Sequence, residues 1–394
     1  MDFDVVIIGG GLPGASLASA LAESKLKLAL MERKPPAAPL PEWDSRVYAL
    51  TPASIAFLER IGAWRRIDNA RVTPIYDMRV RGDDGSSRLD FSAYESGVLQ
   101  LAATVESGRL HRALWQGLER QPNLALLCPA APAGLRREND RVEIHLDGGK
   151  VVTARLAVGA DGADSWVRDA AGIEARVRSY AQLGVVANFT SARSHRNTAY
   201  QWFRRDGVLA YLPLPDRRVS IVWSAPEAVA RELLALPSAG FCRRVAEAGG
   251  EVLGALEPLT PPLAFPLSRM LAARIGHERI ALIGDAAHVV HPLAGQGVNL
   301  GLGDAHALAE LLCEAPDPGD RLLLRRFERA RAEDILAMRW VTDGLFRIFD
   351  ADSRIVARLR NFGLNLTNSN PVIKTLLARR AIAAGGGPRQ KEPS

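Results

Sequence analysis

Short apolar runs that end at a glycine or an acidic residue recur along the chain and predict buried strands. Val5–Ile8, Leu156–Val158 and Ile280–Ile283 are three such runs, and Leu26–Met31, apolar apart from Lys27, is predicted as a further strand. An apolar run without polar alternation suits a strand covered on both faces, as in a parallel sheet flanked by helices. The pattern therefore predicts an α/β fold around a parallel sheet.

The pattern changes between Tyr180 and Arg274. The segments "QLGVVANF", "TAYQWF", "GVLAYLPL" and "RVSIVWS" are rich in β-branched and aromatic residues and partly alternate with polar ones. Such segments are typical of antiparallel strands. We expect a smaller β-rich unit here, joined by the segment Thr73–Phe91.

After Asp304 the chain is expected to be helical. Apolar residues recur at helical spacing in Arg325–Phe349. Arg354–Arg380 contains six basic and no acidic residues among Ile, Val, Leu and Phe. This composition suits a helix at an anionic membrane surface, or equally a helical cap with a solvated basic face. The last residues, "AAGGGPRQKEPS", are expected to be disordered.

Size and composition narrow the class of protein. The 394 residues are 47% hydrophobic and 24% charged, which suits a multi-domain globular protein. The formal charge of +6 could by itself indicate nucleic acid, a membrane surface or neither, and we expect no nucleic-acid partner. Cys128, Cys242 and Cys313 lie far apart, which argues against disulfides and fits a reducing cytoplasm; we expect buried thiols. Asp2 and Asp4 replace the basic start of a signal peptide, and no transmembrane segment is predicted.

The glycines after the first strand carry the first chemical signal. Gly9, Gly11 and Gly14 form G-x-G-x-x-G between a strand and a helix, and Glu32 ends the next strand. The first glycine makes a tight turn, the second lets a pyrophosphate approach the backbone, and the third lets helix and strand pack closely. The acidic residue is placed to bind an adenosine ribose. This predicts dinucleotide binding but does not separate FAD from NAD.

Two further strands end in glycine–aspartate motifs. Asp161-Gly162 follows one strand, and Gly284-Asp285 follows another. Ligands of open α/β sheets collect at the carboxyl ends of strands, so these aspartates suggest an extended dinucleotide crossing several loops. The alternative is that each aspartate caps the following helix.

The order of these motifs resembles the class A flavoprotein monooxygenases, of which para-hydroxybenzoate hydroxylase is the model. Within that class, "HPLAGQGVNLGLGD" (His291–Asp304) is similar to the signature of the ubiquinone-biosynthesis hydroxylases. The segments Asp44–Trp64, Val105–Trp115 and Gly207–Ser224 are also similar, so the resemblance spans most of the chain.

The resemblance implies a Rossmann-like FAD-binding domain with an inserted mixed β-sheet substrate domain and a carboxyl-terminal helical segment. The FAD-binding parts are expected at 1–72, 99–179 and 275–345, the substrate-domain parts at 73–98 and 180–274, the terminal helices at 346–384 and the tail at 385–394. The residues expected to bind FAD are Gly9, Gly11, Leu12, Pro13, Gly14, Glu32, Arg33, Arg46, Glu106, Asp161, Asp285, Pro292, Gly295, Gln296, Gly297, Val298 and Asn299.

The resemblance also explains why glycines crowd the start of the helix that follows His291. A reduced flavin is anionic and flat, so Gly295, Gln296 and Gly297 would offer it unobstructed N–H groups at a positive helix end. Asn299 and Asp304 are expected to shape or cap the turn. Candidate substrate-lining residues are Trp202, Phe203, Tyr211, Leu212, Pro213 and Trp223, with plain sheet core as the alternative for each.

The function implied is hydroxylation of the aromatic ring of a polyprenylated phenol or quinol by O2 through a flavin C4a-hydroperoxide, with FAD carrying the chemistry and no catalytic side chain assigned. NAD(P)H or another reductant would donate electrons transiently. Alternatives are a hydroxylase of a soluble phenolic metabolite and a non-catalytic flavin-binding scaffold of a biosynthetic complex.

His288 and His291 suggest a metal or acid–base pair, but no third ligand type completes a metal site. We expect a cytoplasmic protein, with a membrane surface, other pathway proteins and a homo-oligomer left open as partners.

Overall fold

The computed structural model of the chain describes residues 1–38, 41–84, 86–291 and 296–350. Pro292, Gly295, the predicted terminal helices beyond residue 350 and the predicted tail lie outside the described residues.

The described elements are numbered in chain order. The strands are β1 Phe3–Ile8, β2 Leu28–Met31, β3 Val47–Leu50, β4 Thr73–Ile75, β5 Asp77–Arg81, β6 Arg88–Ser92, β7 Ala102–Glu106, β8 Leu124–Leu127, β9 Pro132–Arg137, β10 Val142–Leu146, β11 Val151–Gly159, β12 Ala175–Ser191, β13 Thr198–Arg204, β14 Gly207–Leu214, β15 Arg218–Pro226, β16 Leu256–Pro258, β17 Leu263–Ala272, β18 Gly276–His277, β19 Ile280–Leu282 and β20 His288–Val289. The helices are α1 Leu12–Ala20, α2 Pro52–Arg60, α3 Ala93–Ser96, α4 Ser107–Leu118, α5 Trp166–Ala170, α6 Glu227–Ala235, α7 Ser238–Ala248, α8 Gln296–Cys313 and α9 Arg321–Asp350.

The first sheet has eight strands and contains the parallel strands that the apolar runs predict, with β18, β9 and β10 added in antiparallel pairs. The strand order along its main path is β18-β19-β11-β1-β2-β8. The pairs β1–β2, β1–β11, β2–β8 and β11–β19 are all parallel. The last four residues of β1, Val5–Ile8, are buried, as are all four residues of β2. Helices α1, α4 and α8 contribute to the same hydrophobic core, which confirms the α/β prediction.

The second sheet is built from the segments that were predicted as antiparallel strands. β12, β15, β14 and β13 are successive antiparallel neighbours, and β17 pairs with the other side of β12. β5 joins in parallel to β13 and carries β6, so the segment 73–91 does enter this unit. A small third sheet, β3-β7-β4, includes the first residues of that segment.

The two faces of the second sheet have different neighbours. One face packs under α6 and α7, through residues such as Ile221, Phe241 and Val245, and is called the helix-covered face below. On the other face, Leu212 packs with Ala49 of β3. This inner face therefore points toward the FAD-binding half of the chain.

Several details of the fold depart from the predictions. The sequence pattern did not reveal α6 and α7, which lie inside the segment predicted as β-rich. β12 begins at Ala175, before the predicted boundary at 180, and β20 belongs to the second sheet although it lies within 275–345. Cys242 is buried, but Cys128 is only half-buried and Cys313 is exposed, so the prediction of buried thiols was wrong for Cys313. Within the ranges that the structure describes, no helix is long and apolar enough to cross a bilayer.

Candidate functional site

The three motif glycines do different things, as the motif predicts. Gly9 has φ +104°, and a Cβ there would lie 2.3 Å from the Ala160 carbonyl oxygen. A Cβ on Gly14 would lie 2.0 Å from the Gly9 oxygen, so helix α1 and the loop pack too closely for a side chain. A Cβ on Gly11, in contrast, would meet nothing within 4 Å. Gly11 therefore leaves bare backbone and open space at the start of α1.

Glu32 reaches back to the glycine loop from the end of β2. Its Oε2 accepts a hydrogen bond of 2.7 Å from the Gly10 N–H. The Gly10 carbonyl accepts a bond of 2.8 Å from the Trp115 indole N–H and lies 2.7 Å from His111 Nε2, both on α4. The loop is thus held on two sides, and the carboxylate stands beside the start of α1, where the motif requires it.

The glycines at the front of α8 also divide into two kinds. A Cβ on Gly297 would meet its nearest atom, in Val290, only at 4.0 Å. A Cβ on Gly301 would lie 2.9 Å from Pro13 Cγ and 3.2 Å from the Gly284 Cα. Gly301 therefore serves close packing of α8 against α1, whereas Gly297 leaves backbone open to a ligand.

A buried charge network joins α8 and α9 to the Gly284-Asp285 motif. Asp304 Oδ2 accepts a bond of 2.9 Å from the Gly284 N–H and lies 2.6 Å from His288 Nε2. Its Oδ1 accepts a bond of 2.7 Å from Arg331 Nε. Burial opposes ionisation, but His288 and Arg331 outweigh it and lower the pKa of Asp304. This confirms the structural role expected for Asp304.

Asp285 follows in the same turn and presents an exposed carboxylate. The protein packed around it removes part of its hydration and raises the pKa of Asp285; Asp304 raises it further, while His288 lowers it. The side chain is accessible to a ligand at the carboxyl end of β19, as predicted.

Asp161 is a helix-capping residue in the structure. Its Oδ1 accepts a bond of 2.6 Å from the Ser165 hydroxyl, and its Oδ2 accepts one of 3.0 Å from the Val167 N–H in α5. Burial raises the pKa of Asp161. The alternative of a helix cap thus holds for this aspartate, and its contribution to cofactor binding stays a prediction.

Sequence reasoning missed Arg168, which connects the two aspartate motifs. This buried side chain donates from Nη1 to the Ala163 carbonyl, at 2.8 Å, and to the Ala286 carbonyl, at 3.3 Å. A basic residue six positions after a G-x-D-G-type turn carries no signal of burial, so the sequence alone could not have shown this role.

Glu106 is saturated by protein donors. Its two oxygens accept bonds of 2.8 to 2.9 Å from the Asp44 N–H, from Arg71 and from Arg109, and only 1% of the residue is exposed. This argues against the predicted contact with a cofactor. Glu106 instead holds the segment that carries Arg46, whose own side chain is exposed.

Asn299 is likewise engaged within the protein. Its Oδ1 accepts a bond of 2.9 Å from the Thr51 N–H and its amide donates one of 2.9 Å to the Ala49 carbonyl. The side chain therefore fixes α2 and β3 against α8, as a turn-shaping residue. The remaining predicted cofactor residues lie near the glycine loops: Leu12 and Pro13 in α1, Arg33 exposed after β2, and Gln296 and Val298 in α8.

The structure contradicts the predicted substrate roles of Trp202, Tyr211, Pro213 and Trp223. Tyr211 and Trp223 lie in the core under α6 and α7, with at most 1% exposure, and Trp202 packs against the same core. The Tyr211 hydroxyl donates a hydrogen bond of 2.7 Å to the Val245 carbonyl. Pro213 lies opposite the buried Val219, and opposed residues share a face. All four belong to the helix-covered face. The prediction was wrong because the sequence pattern did not reveal the helices that cover this face.

The alternate residues occupy the inner face. Leu212 packs with Ala49 and Ile75, and Phe203 packs in a small cluster with Val80 and Leu89. Both were candidates for lining the substrate site, and both are buried in these clusters.

At one end of the inner face, His291 contacts the sheet. His291 Nε2 lies 3.4 Å from Gln182 Oε1, and the rings of His291 and Tyr180 meet edge to face at 4.9 Å. Burial lowers the pKa of His291 to about 4, so the imidazole is neutral at pH 7. Sequence reasoning missed Gln182 and Tyr180, and strand alternation was the signal available for Gln182.

Comparison with known proteins decides the family. The family described as FAD binding domain matches residues 2–338. The chain belongs to this FAD-binding family. Among its relatives, the ubiquinone hydroxylase UbiL of Rhodospirillum rubrum is 39% identical over 96% of this chain and 89% of that protein. The 3-demethoxyubiquinol 3-hydroxylase of Escherichia coli K12 is 33% identical over 96% of this chain and 98% of that protein.

A solved structure agrees with this assignment. PqsL of Pseudomonas aeruginosa, described as a probable FAD-dependent monooxygenase, superposes with a TM-score of 0.76 over 92% of this chain and 99% of that chain, at 25% identity. The resemblance inferred from the motifs and the predicted fold class are therefore confirmed. The chain is an FAD-dependent hydroxylase, and FAD is its cofactor.

The geometry suits this cofactor. The starts of α1 and α8 both present glycine backbone with room beside it, at Gly11 and Gly297, and the positive ends of helix dipoles favour an anionic group there. Glu32 stands where an adenosine ribose would be bound. In the part of the chain that the structure describes, no group of three or more His, Cys, Asp or Glu side chains is arranged to hold a metal.

Proposed function

We propose that this chain hydroxylates the aromatic ring of a polyprenylated phenol or quinol in ubiquinone biosynthesis, with O2 as co-substrate. The observation that carries the proposal is the contact between Gln182 on the inner face of the second sheet and His291, which precedes the glycine-rich start of α8 in the sequence. An aromatic ring held at this junction would lie between the flavin-binding backbone and the sheet. The names of the two relatives support the same substrate class.

Three parts of the chain would hold FAD. The backbone at Gly11 would take the pyrophosphate, Glu32 the adenosine ribose, and the N–H groups at the start of α8 the ring, whose negative charge they would stabilise in the reduced state. When bound, FAD supplies the activation of O2 and the transfer of one oxygen atom to the substrate. We also propose Asp285, Arg33 and Arg46 as cofactor contacts, because all three residues are exposed.

The protein's remaining task is to position the ring and exclude water. His291 is buried and neutral, with Tyr180 beside it, so the imidazole brings no charge to the junction. We assign no general base. An electron-rich phenol does not require one for this reaction.

We propose NAD(P)H or another reductant as a transient electron donor, because the sequence contains a single dinucleotide-binding motif.

The decisive experiment for the function uses the FAD-loaded protein, O2, NADH or NADPH, and a prenylated phenol, with the products identified by mass spectrometry. A ring-hydroxylated product is expected. Product from unprenylated soluble phenols alone would favour the soluble-metabolite alternative, and FAD binding without any hydroxylated product would favour the scaffold.

The membrane is the proposed second partner. The six basic residues of Arg354–Arg380 favour attraction to anionic headgroups, at about 1 kcal/mol for each residue near the surface. We therefore propose a cytoplasmic protein that binds the inner face of the membrane peripherally. Flotation with phosphatidylglycerol-containing liposomes should recover the full chain and lose a chain that ends at Asp350; equal recovery of both would contradict the proposal.

A further inference from the structure

We propose that an apolar strip at the edge of the second sheet binds the prenyl chain of the substrate. The apolar strip consists of Leu263, Phe265 and Leu267 on β17 with Gly184 and Val186 on β12. The inference rests on the proposed function for the identity of the ring, and it adds the place where the ring's hydrophobic substituent lies.

The strand register puts these residues on one face. Gly184 is opposite Phe265, Val186 is opposite Leu263, and Gln182 is opposite Leu267. Directly opposed residues share a face, and alternate residues along a strand do so too. Since Val185 and Ala187 point into the core under α6 and α7, the strip lies on the inner face.

Gly184 shapes the strip. A Cβ at this position would lie 2.9 Å from two atoms of the Phe265 ring and 3.2 Å from Leu267 Cδ2. The phenylalanine ring therefore rests over bare backbone of the neighbouring strand. Without a side chain at 184, the ring lies low on the sheet and leaves a smooth apolar surface beside it.

The outer part of the strip is open to solvent. Leu263 is 50% exposed and Phe265 37% exposed, while Leu267 is buried at 3%. Along this stretch β17 pairs with β12 alone among the described strands, since β20 meets it only at Met270 and Leu271. Contiguous exposed apolar side chains of this kind mark interaction sites more often than chance exposure does.

The position of the strip identifies its occupant. Its buried end lies beside Gln182, which meets His291 at the proposed ring site, and its open end lies at Leu263. Leu267 lies four residue steps along the strand from Leu263, a path of roughly 13 Å. The run 263–267, Leu-Ala-Phe-Pro-Leu, contains no charge and no side-chain hydrogen-bonding group. Continuity with the ring site and the lack of polar groups fit a hydrocarbon chain attached to the ring.

Equilibrium binding to the FAD-loaded protein without reductant tests the strip independently of turnover. The ligands are a farnesylated phenol and the same phenol with a methyl group in place of the farnesyl chain. Wild-type protein should bind the farnesylated ligand more tightly. Phe265→Ser should weaken that binding by about tenfold through lost apolar contact, and leave the methyl ligand's affinity and the FAD content unchanged.

Leu322→Ser is the matched control, because Leu322 is 66% exposed at the start of α9. It should leave the affinity for both ligands unchanged. Equal weakening of both ligands by Phe265→Ser, or equal wild-type affinity for the two ligands, would overturn the proposal. So would tighter farnesyl binding in a chain that ends at Asp350, which would assign the strip to the protein's own terminal segment.

The same proteins separate this proposal from the proposed function. Preferential farnesyl binding that depends on Phe265, together with absence of hydroxylated product, would support the strip and contradict the hydroxylase activity. Hydroxylation of the ring with no farnesyl preference would support the activity and contradict the strip.

Discussion

Asp304 and Arg331 form an ion pair that is closed off from solvent, with Arg331 Nε 2.7 Å from Asp304 Oδ1. The pair connects α8 to α9, and through the second oxygen of Asp304 it also fixes the Gly284 N–H. The turn that presents Asp285 is therefore supported by a residue from a helix distant in sequence.

Breaking this pair should be costly. Arg331→Met removes the guanidinium partner of the buried Asp304 carboxylate, which should lower the free energy of unfolding by about 3–5 kcal/mol. Arg329→Met, at an exposed position two residues earlier, should change it by less than about 0.5 kcal/mol. Urea unfolding of both variants measures the difference, and similar values for the two would show that the ion pair contributes little.

The two kinds of glycine in α8 predict opposite effects of alanine. Gly301→Ala should destabilise the protein by about 1–3 kcal/mol, because its Cβ meets Pro13 and the Gly284 backbone. Gly297→Ala should not destabilise the FAD-free protein, yet it should raise the Kd for FAD by about tenfold by holding the ring off a backbone donor. Thermal unfolding and flavin-fluorescence titration separate the two; unchanged FAD affinity in Gly297→Ala would place the ring elsewhere.

Glu32 should recognise the adenosine end alone. Glu32→Gln removes charge-assisted hydrogen bonds to the ribose and should raise the Kd for FAD about 10- to 100-fold. FMN, which has no adenosine, should bind the variant and the wild type equally. If FMN binding weakened as much as FAD binding did, Glu32 would be acting on the loop through Gly10 and not on the ribose.

Burial of His291 predicts a pH dependence of stability. Its pKa falls from 6.5 to about 4 on folding, so the unfolded chain binds a proton between these values that the folded protein does not. Stability should therefore decrease as the pH falls from about 6.5 to about 4, by up to roughly 3 kcal/mol from this group. His291→Gln should flatten that part of the curve in urea unfolding at several pH values; an unchanged slope would assign it to other groups.

Tyr211 tests the assignment of the helix-covered face. Tyr211→Phe removes one of the two hydrogen bonds to the Val245 carbonyl, which also accepts one from the Gly249 N–H, and should cost about 1 kcal/mol of stability. The KM for the phenolic substrate should not change, because this face lies away from the proposed ring site. A raised KM together with unchanged stability would return Tyr211 to the substrate site.

Local patterns were sufficient for the cofactor half of the molecule. The roles of Gly9, Gly11 and Gly14 follow from a turn, a close approach and a contact between elements adjacent in sequence, so spacing alone predicts them. Spacing did not predict the contacts of polar side chains that can bind either the cofactor or other protein groups. Glu106 and Asn299 match family positions, yet their polar atoms are taken by Asp44, Arg71 and Thr51.

By itself, the sequence determined the two sheets, the dinucleotide motif and the family, because apolar periodicity and glycine spacing are properties of short segments. Only the tertiary structure decided which face of the second sheet is free. Trp202 and Gln182 lie on strands whose alternation is readable, but alternation gives two faces without saying which one α6 and α7 will cover. That choice depends on the packing of segments far apart in the chain, and it moved the proposed substrate contacts from the large aromatic residues to Gln182 and the apolar strip.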